Sequence, residues 1–139
     1  MNHPEPHLLS FKQINNVEGV LISTQDEKGL PFTAKRVFWV MNTTPNSERG
    51  GHAHHTTQEL MTVLRGTVRI DTETAQGTES FLLDAPTMGL YIPPYCWIKV
   101  FPTPDAILCC MASTVYDEAD YLRDYPAFKH VIHQQATSK

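Results

Sequence analysis

Short apolar runs alternate with turn-forming residues along most of the chain. The runs are rich in Val, Ile, Thr, Phe, Tyr and Trp, the residue types enriched in β-strands. Gly- and Pro-containing segments, such as residues 29–31 and 102–104, separate them. Nine runs predict strands over residues 8–14, 19–24, 36–41, 59–64, 67–72, 80–84, 89–93, 97–101 and 106–114. Strands of this number and spacing predict an all-β sandwich or barrel.

Polar and apolar positions also alternate within several runs. In residues 59–64, the side chains of Glu59, Met61 and Val63 share one face of the strand, which leaves one face free to line a cavity. The segment 117–134 has a different pattern. Its acids come first, its Lys and His come later, and its apolar residues have near-helical spacing around Pro126. It predicts two short C-terminal helices that close one side of the β structure.

Composition narrows the class of protein. A chain of 139 residues with 41% hydrophobic residues fits a single globular domain over residues 1–139. Its net charge of −4 argues against a general affinity for nucleic acid or an anionic membrane. The N-terminus lacks a signal-peptide pattern, and nowhere do 18 apolar residues run together. The three cysteines form no CxxC pair, so we expect reduced thiols and a cytoplasmic protein.

The strongest chemical signal is a histidine cluster in the sequence RGGHAHHTTQEL, residues 49–60. If this stretch is extended, His52 and His54 share one face about 7 Å apart, and His55 points away. Residues 55–58 can then form a turn before Glu59 opens the next strand, and Gly66 can supply a hairpin turn after it. This spacing is that of the first cupin motif, a pattern met by His52, His54, Glu59 and Gly66.

Two interpretations of the cluster differ in the need for a metal. Two histidines and one carboxylate, His52, His54 and Glu59, can form a facial triad suited to Fe(II) or Mn(II). A later strand supplies a fourth histidine ligand in cupins, but here Ile98 takes that place. A further alternative is that the cluster has no function and that both histidines are ordinary polar residues of a strand. Two imidazoles on one face, preceded by Arg49, favour a functional site.

The chain resembles the WxcM-like sugar nucleotide 3,4-ketoisomerases, the cupin group that includes FdtA and QdtA. The resemblance is carried by LPFTAKRVFWV (30–40), ERGGHAH (48–54), LDAPTMGLYIPPYCW (83–97) and ASTVYDEADYLRDYPAF (112–128). It implies a cupin fold, that is, a double-stranded β-helix or jelly-roll barrel. It also implies a homodimer formed by exchange of N-terminal strands. The implied reaction moves a keto group from C4 to C3 of a dTDP-linked 6-deoxyhexose without metal or cofactor.

The resemblance also suggests roles for individual residues. His52 and His54 match the family's catalytic pair, with His52 as the base and His54 as proton shuttle or stabiliser of the developing oxyanion. A nucleoside diphosphate sugar needs cationic partners. We predict that substrate-binding residues include Arg36 and Arg49 first, and in addition Lys99, Arg123 and the hydroxyl of Tyr91.

Five positions depart from the family pattern. Phe38 and Trp39 stand where two tyrosines are common, the first of them a proposed acid, and Ile98 stands where His or Arg follows Trp. Glu18 replaces a basic or aromatic residue, and Glu59 replaces a usual Gln. These departures leave two alternatives to the isomerase. One is a nucleotide-sugar-binding cupin without turnover, and the other is a metal-dependent cupin that uses His52, His54 and Glu59.

Overall fold

The computed structural model describes residues 3–26 and 28–137, so both ends of the predicted 1–139 domain and Glu27 lie outside the described residues. The described chain is mainly β structure with one α-helix and one 3₁₀ turn, Glu118–Asp120. The elements are β1 His7–Ser10, β2 Lys12–Asn16, β3 Gly19–Ser23, β4 Gln25–Asp26, β5 Gly29–Leu30, β6 Arg36–Val40, β7 Arg49–His54, β8 Glu59–Arg65, β9 Val68–Thr74, β10 Gly77–Leu83, β11 Met88–Ile92, β12 Trp97–Pro102, β13 Ile107–Ala112, β14 Tyr121–Leu122 and α1 Tyr125–Thr137.

Two five-stranded antiparallel sheets form the body of the molecule. Sheet 1 has the order β1-β11-β8-β13-β6, and sheet 2 has the order β10-β9-β12-β7-β14. Strands β2 and β3 form a separate antiparallel hairpin. The main core lies between the sheets, because it combines side chains such as Met61 and Leu108 of sheet 1 with Ile70 and Ile98 of sheet 2. The all-β prediction is confirmed, and the arrangement is a jelly-roll barrel.

Alternation along the strands separates the barrel interior from two outer clusters. Met61 points into the interior, whereas its neighbour Leu60 packs with Phe32 and Tyr91 on the outer face of sheet 1. Helix α1 covers the outer face of sheet 2, where Phe128 packs with Trp97. The two-faced strands predicted from residues 59–64 are therefore confirmed, with Glu59 on the interior side.

The predicted strand over residues 8–14 is two strands. Strand β1 pairs with β11 of sheet 1, whereas β2 leaves the sheet and pairs with β3. The break falls at Phe11, whose backbone N–H donates to the Thr87 carbonyl at 2.9 Å. Phe11 also packs against the cluster on the outer face of sheet 1. The segment is divided because its two halves pair with different strands, β11 and β3. A continuous apolar run in the sequence does not reveal such a division.

The predicted hairpin at Gly66 is wrong. Strand β8 lies in sheet 1 and β9 in sheet 2, so Gly66 carries the chain across the barrel between sheets. Its φ of +75° is in the left-handed region that favours glycine, and a Cβ there would lie 2.6 Å from the Ala106 Cα. The glycine was correctly identified as a turn residue, but turn chemistry alone does not tell a hairpin from a crossing between sheets.

The C-terminal tail also differs from the predicted pair of helices. Tyr121 and Leu122 form β14 at the edge of sheet 2, between the 3₁₀ turn and one continuous helix, α1. Pro126 lies in the first turn of that helix, where its missing N–H is tolerated. The Asp124 carboxylate accepts a hydrogen bond from the Ala127 N–H at 3.0 Å and caps the helix start. The described part of the chain contains no helix long and apolar enough to cross a membrane.

Candidate active site

Strand β7 carries both histidines of the HxH motif into the barrel. The ring centroids of His52 and His54 are 5.1 Å apart, and the rings meet nearly edge to face. His55 turns the other way, where its Nδ1 lies 3.1 Å from the Tyr95 hydroxyl. The Tyr95 N–H donates to the His54 carbonyl at 2.8 Å. The predicted shared face of His52 and His54 is thus confirmed, and contacts to Tyr95 hold the strand behind it.

A cavity of about 120 Å³ opens at His52 between the two sheets. Its walls include Phe38 from β6, Glu59 and Met61 from β8, and Ile98 from β12. Phe38 offers no hydroxyl, and Ile98, which pairs with His52 across β12 and β7, offers no ligand atom. The polar side chains that line this cavity are instead Arg49 and His52 of β7, Glu59 of β8, Cys110 of β13 and Tyr121 of β14.

Glu59 is a buried carboxyl group at the base of the cluster. Its side chain is 2% exposed, and its Oε1 lies 3.9 Å from the His54 Nδ1 without a hydrogen-bond partner. Burial raises the pKa of Glu59 to about 7, against the opposing effect of the nearby Arg36 guanidinium. Because a buried carboxylate without a partner is costly, the group is held partly protonated at neutral pH.

Burial affects the two imidazoles in the opposite direction. Loss of solvation, together with the smaller effect of the neighbouring His52, lowers the pKa of His54 to about 4. Burial also lowers the pKa of His52, while the Gly50 backbone raises it and Arg123 lowers it. Both rings are therefore neutral at pH 7, and the contact between His54 and Glu59 is not an ion pair. A neutral imidazole is the form that can accept a proton.

His52, His54 and Glu59 also form a candidate metal-ligand set. One ligand atom from each lies within 4.8 Å of the others. Metal–ligand bonds near 2.1 Å place ligand atoms roughly 3–3.5 Å apart, so an ion would draw these side chains together by about 1 Å. Two imidazoles and one carboxylate suit a divalent ion such as Fe(II) or Mn(II) after that adjustment.

The predicted cationic residues divide into two groups. Arg49 lines the cavity, and Arg36 lies near it, with its guanidinium 5.3 Å from the Phe38 ring centroid. Arg123 lies over the Tyr121 ring, which also lines the cavity. Lys99 instead belongs to the outer face of sheet 2, in a groove of about 620 Å³. That groove is larger than the histidine cavity but contains neither His52 nor His54, so we assign the chemistry to the smaller cavity.

Tyr91 does not line the histidine cavity. Its side chain is fully buried on the outer side of sheet 1, and its hydroxyl donates to the Gln58 Oε1 at 2.7 Å. The residue before it and the residue after it, Leu90 and Ile92, point into the barrel instead. Substrate binding by Tyr91 stays a prediction, and its position behind the turn that precedes β8 indicates packing and support of that turn.

Tyr121 is a cavity residue that sequence reasoning did not select. Its ring centroid lies 5.1 Å from that of His52 and 4.3 Å from that of His54. Strand β14 brings it there by pairing antiparallel with β7, with Tyr121 opposite His54. The segment 112–128 is part of the family resemblance. Because the tail was predicted to be helical, the contact of Tyr121 with the two histidines was not predicted.

Comparison with known proteins identifies the family of the chain. A family model described as FdtA, WxcM-like, C-terminal matches residues 4–133. The TDP-4-oxo-6-deoxy-alpha-D-glucose-3,4-oxoisomerase of Aneurinibacillus thermoaerophilus is 33% identical over 129 residues, which cover 92% of this chain and 93% of the relative.

Two solved structures are similar along nearly the whole chain. QdtA, a sugar 3,4-ketoisomerase from Thermoanaerobacterium thermosaccharolyticum solved with TDP, has a TM-score of 0.90 at 30% identity and covers 94% of this chain and 96% of its own. WlaRA, a TDP-fucose-3,4-ketoisomerase from Campylobacter jejuni, has a TM-score of 0.87 at 30% identity and covers 91% and 95%. Because the family model and these relatives match along nearly the whole chain, the chain belongs to the WxcM-like FdtA family.

Proposed function

We propose that the protein is a sugar nucleotide 3,4-ketoisomerase that acts on a TDP-linked 4-keto-6-deoxyhexose. The observation that carries the proposal is the pair of adjacent neutral imidazoles, of which His52 lines a cavity between the sheets and His54 lies beside it. Relatives named for this reaction match the chain over more than nine-tenths of its length, which supports the same chemistry here.

The reaction is a proton transfer next to a carbonyl. His52 removes the proton from C3, the electrons of the C3–H bond form a C3–C4 double bond, and negative charge collects on the C4 oxygen. The C4 oxygen then takes up a proton while the C3 hydroxyl loses its own, the C3 carbonyl forms, and a proton adds to C4. His54 accepts and returns protons or stabilises the oxyanion, a type of catalysis that contributes typically ~10²–10⁴-fold.

The diphosphate needs positive charge at the edge of the cavity. Arg49 lines the cavity, and Arg36 and Arg123 are close enough to lower the pKa of His52. We assign substrate binding to these three arginines, because one guanidinium group can donate two parallel hydrogen bonds to two oxygens of a phosphate group. The cavity is smaller than the ~300–1,000 Å³ of typical ligand sites, so it receives the reacting part of the sugar while the nucleotide lies outside. Lys99 and Tyr91 are not used in this assignment.

Solvent deuterium exchange tests the proposal directly. Incubation with TDP-4-keto-6-deoxyglucose in deuterated water should introduce deuterium at C3 of the recovered substrate and at C4 of the 3-keto isomer, both detectable by NMR. A lack of exchange across several nucleotide sugars would refute the isomerase. Tight nucleotide-sugar binding without exchange would instead select the binding protein without turnover, an alternative motivated by Phe38, which offers the cavity no acid.

The cluster of His52, His54 and Glu59 favours a second candidate function, a metal-dependent cupin. Elemental analysis of protein purified without chelator distinguishes the two candidates. Stoichiometric iron or manganese, with activity lost on chelation and restored by the metal, would support the second candidate. Full isomerase activity of protein stripped of metal would exclude it.

We also propose a homodimer. Every residue of β2 is exposed, and the β2–β3 hairpin presents Ile14, Val20 and Leu21 to solvent. Strand β6, at the edge of sheet 1, presents Val37 and Trp39, the latter 64% exposed. A two-stranded hairpin is only marginally stable alone, and exposed apolar surface of this kind favours a protein partner. A second copy that receives the hairpin would cover both surfaces.

The proposed compartment is the cytoplasm. Cys96, Cys109 and Cys110 are free thiols, as expected of a reducing environment. Their burial raises the pKa of all three, so they are poor nucleophiles and are assigned no chemical role.

A further inference from the structure

The orientation of the two imidazoles is not set by hydrogen bonds. A functional histidine is usually oriented by a hydrogen bond from its second ring nitrogen. Here the His52 Nδ1 and the His54 Nε2 are buried and have no partner of hydrogen-bonding geometry among the described residues. The Gly50 backbone is near enough to His52 to raise its pKa but does not meet that geometry. Something else must hold the rings in place.

Tyr121 is the residue that contacts both rings. Its centroid lies 4.3 Å from that of His54 and 5.1 Å from that of His52, with the ring planes inclined at 54° and 64°. The Arg123 guanidinium carbon also lies 4.1 Å from the Tyr121 centroid. The tyrosine ring therefore contacts both the histidine pair and a cation, which limits its rotation.

The segment 117–123, here called the strap, is fastened on both sides of Tyr121. The Asp120 carboxylate accepts hydrogen bonds from the backbone N–H and hydroxyl of both Thr56 and Thr57. The Asp120 carbonyl also accepts from the His55 N–H at 2.9 Å. These contacts tie the strap to the turn that directly follows the HxH motif.

An ion pair joins Arg123 and Glu118, which lie near opposite ends of the strap. The Arg123 Nε and Nη2 donate to the two Glu118 carboxylate oxygens at 2.7 and 3.0 Å. An exposed pair of this kind adds little stability, but its two-point geometry fixes where the guanidinium lies. Arg123 is thereby kept over the Tyr121 ring.

We propose that Tyr121 is a positioning residue for the isomerase reaction, whose ring holds His52 and His54 in the reactive arrangement while Asp120 holds Tyr121. The inference rests on the proposed function. The aromatic ring does this work, and the hydroxyl is dispensable. Because a misplacement of about 1 Å at a reacting group can cost ~10²-fold in rate, loss of the ring should lower kcat. It should leave KM nearly unchanged, since Glu118 still holds Arg123 and the other predicted phosphate contacts are on Arg36 and Arg49.

Three variants test the proposal. Tyr121→Leu should lower kcat by ~30–100-fold with KM within ~3-fold. Tyr121→Phe, which keeps the ring, should retain kcat within ~3-fold of wild type. The matched control is Tyr125→Leu, the same change at a tyrosine that packs on Trp97 outside the cavity, and it should also retain kcat. Retention of kcat in Tyr121→Leu, or an equal loss in Tyr121→Phe, would overturn the proposal.

A second route covers the case in which Tyr121→Leu does not fold. Asp120→Asn keeps the tyrosine but weakens its anchor, and it should lower kcat by ~5–10-fold at unchanged KM. A wild-type kcat in that variant would overturn the proposal.

Failure of the proposed function is recognised separately, because wild-type protein would then show no deuterium exchange. In that case NMR of the ¹⁵N-labelled imidazoles remains a test. Discrete ring signals of His52 and His54 in Tyr121→Phe, with averaged signals in Asp120→Asn, support positioning. Equally discrete signals in both variants would overturn it.

Discussion

Burial determines the protonation of the three titratable groups at the centre of the site. His52 and His54 have lowered pKa values and Glu59 has a raised one, in each case first because burial penalises the charged form. Neutral histidines and a partly protonated carboxyl group are what a buried cluster can maintain without hydrogen-bond partners. The same burial prepares a base for use at neutral pH.

The first prediction at the residue scale concerns the base. His52→Asn should lower kcat by at least ~10²-fold, because asparagine keeps a polar side chain but cannot accept the C3 proton. His55→Asn is the control, since His55 faces Tyr95 rather than the cavity, and should retain activity. Product formation and C3 deuterium exchange measure the effect. Equal activities of the two variants would remove His52 from the mechanism.

The second prediction concerns Glu59 and pH. The folded protein raises the pKa of Glu59 from 4.5 to about 7, so it binds this proton more tightly than the unfolded chain does. Stability from this group is present below pH 4.5 and is lost as pH rises to 7. Glu59→Gln cannot ionise. Its free energy of unfolding relative to wild type should therefore increase between pH 4.5 and 8, by roughly 1–3 kcal/mol.

Glu73→Gln is the matched control for that measurement. Despite partial burial, hydrogen bonds from Lys129 and Tyr125 lower the pKa of Glu73, the opposite direction from Glu59. Its stabilising contribution is present above pH 4.5 and is lost as pH falls below that value. Urea denaturation over the pH range should show opposite trends for the two variants. Parallel trends would contradict the assignment of a raised pKa to Glu59.

At the scale of elements, local sequence patterns predicted where strands occur better than they predicted which strands pair with each other. Eight of the nine predicted runs overlap a single main strand, and the run over residues 8–14 covers two. The turn at residues 55–58 and the strand that Glu59 begins are as predicted. The hairpin at Gly66 and the second helix were wrong, because each depended on which distant strand pairs with the segment.

The prediction at this scale concerns the crossing between sheets at Gly66. Gly66→Ala and Gly51→Ala place a Cβ at nearly equal φ, +75° and +74°, which costs about 1–2 kcal/mol in each. Only at Gly66 does the Cβ meet backbone, because nothing lies within 4 Å at Gly51. Gly66→Ala should therefore lower the free energy of unfolding by roughly 1–3 kcal/mol more. Denaturant titration of both variants measures this difference. Equal losses of unfolding free energy in Gly66→Ala and Gly51→Ala would contradict the close backbone contact at Gly66.

At the scale of the whole molecule, apolar side chains are exposed on the β2–β3 hairpin and on β6, the edge strand of sheet 1 opposite β1. Leu21→Asp should raise the dissociation constant of the proposed dimer by at least ~10-fold, because it places a charge where apolar surface is buried. Leu82→Asp changes a similarly exposed leucine on β10 of sheet 2 and should leave the dimer intact. Sedimentation velocity measures both, and a monomeric wild type would refute the dimer.

The sequence by itself determined those features that depend on neighbouring residues. The two-residue period of an extended chain puts His52 and His54 on one face, and turn-forming residues place Glu59 at the start of the next strand. Only the tertiary structure decided which side chains meet across the barrel. It placed Tyr121 against the histidines, Lys99 on the outer face and Tyr91 behind sheet 1. The reason is physical: alternation is local, whereas strand pairing between distant segments depends on the packing of the whole core.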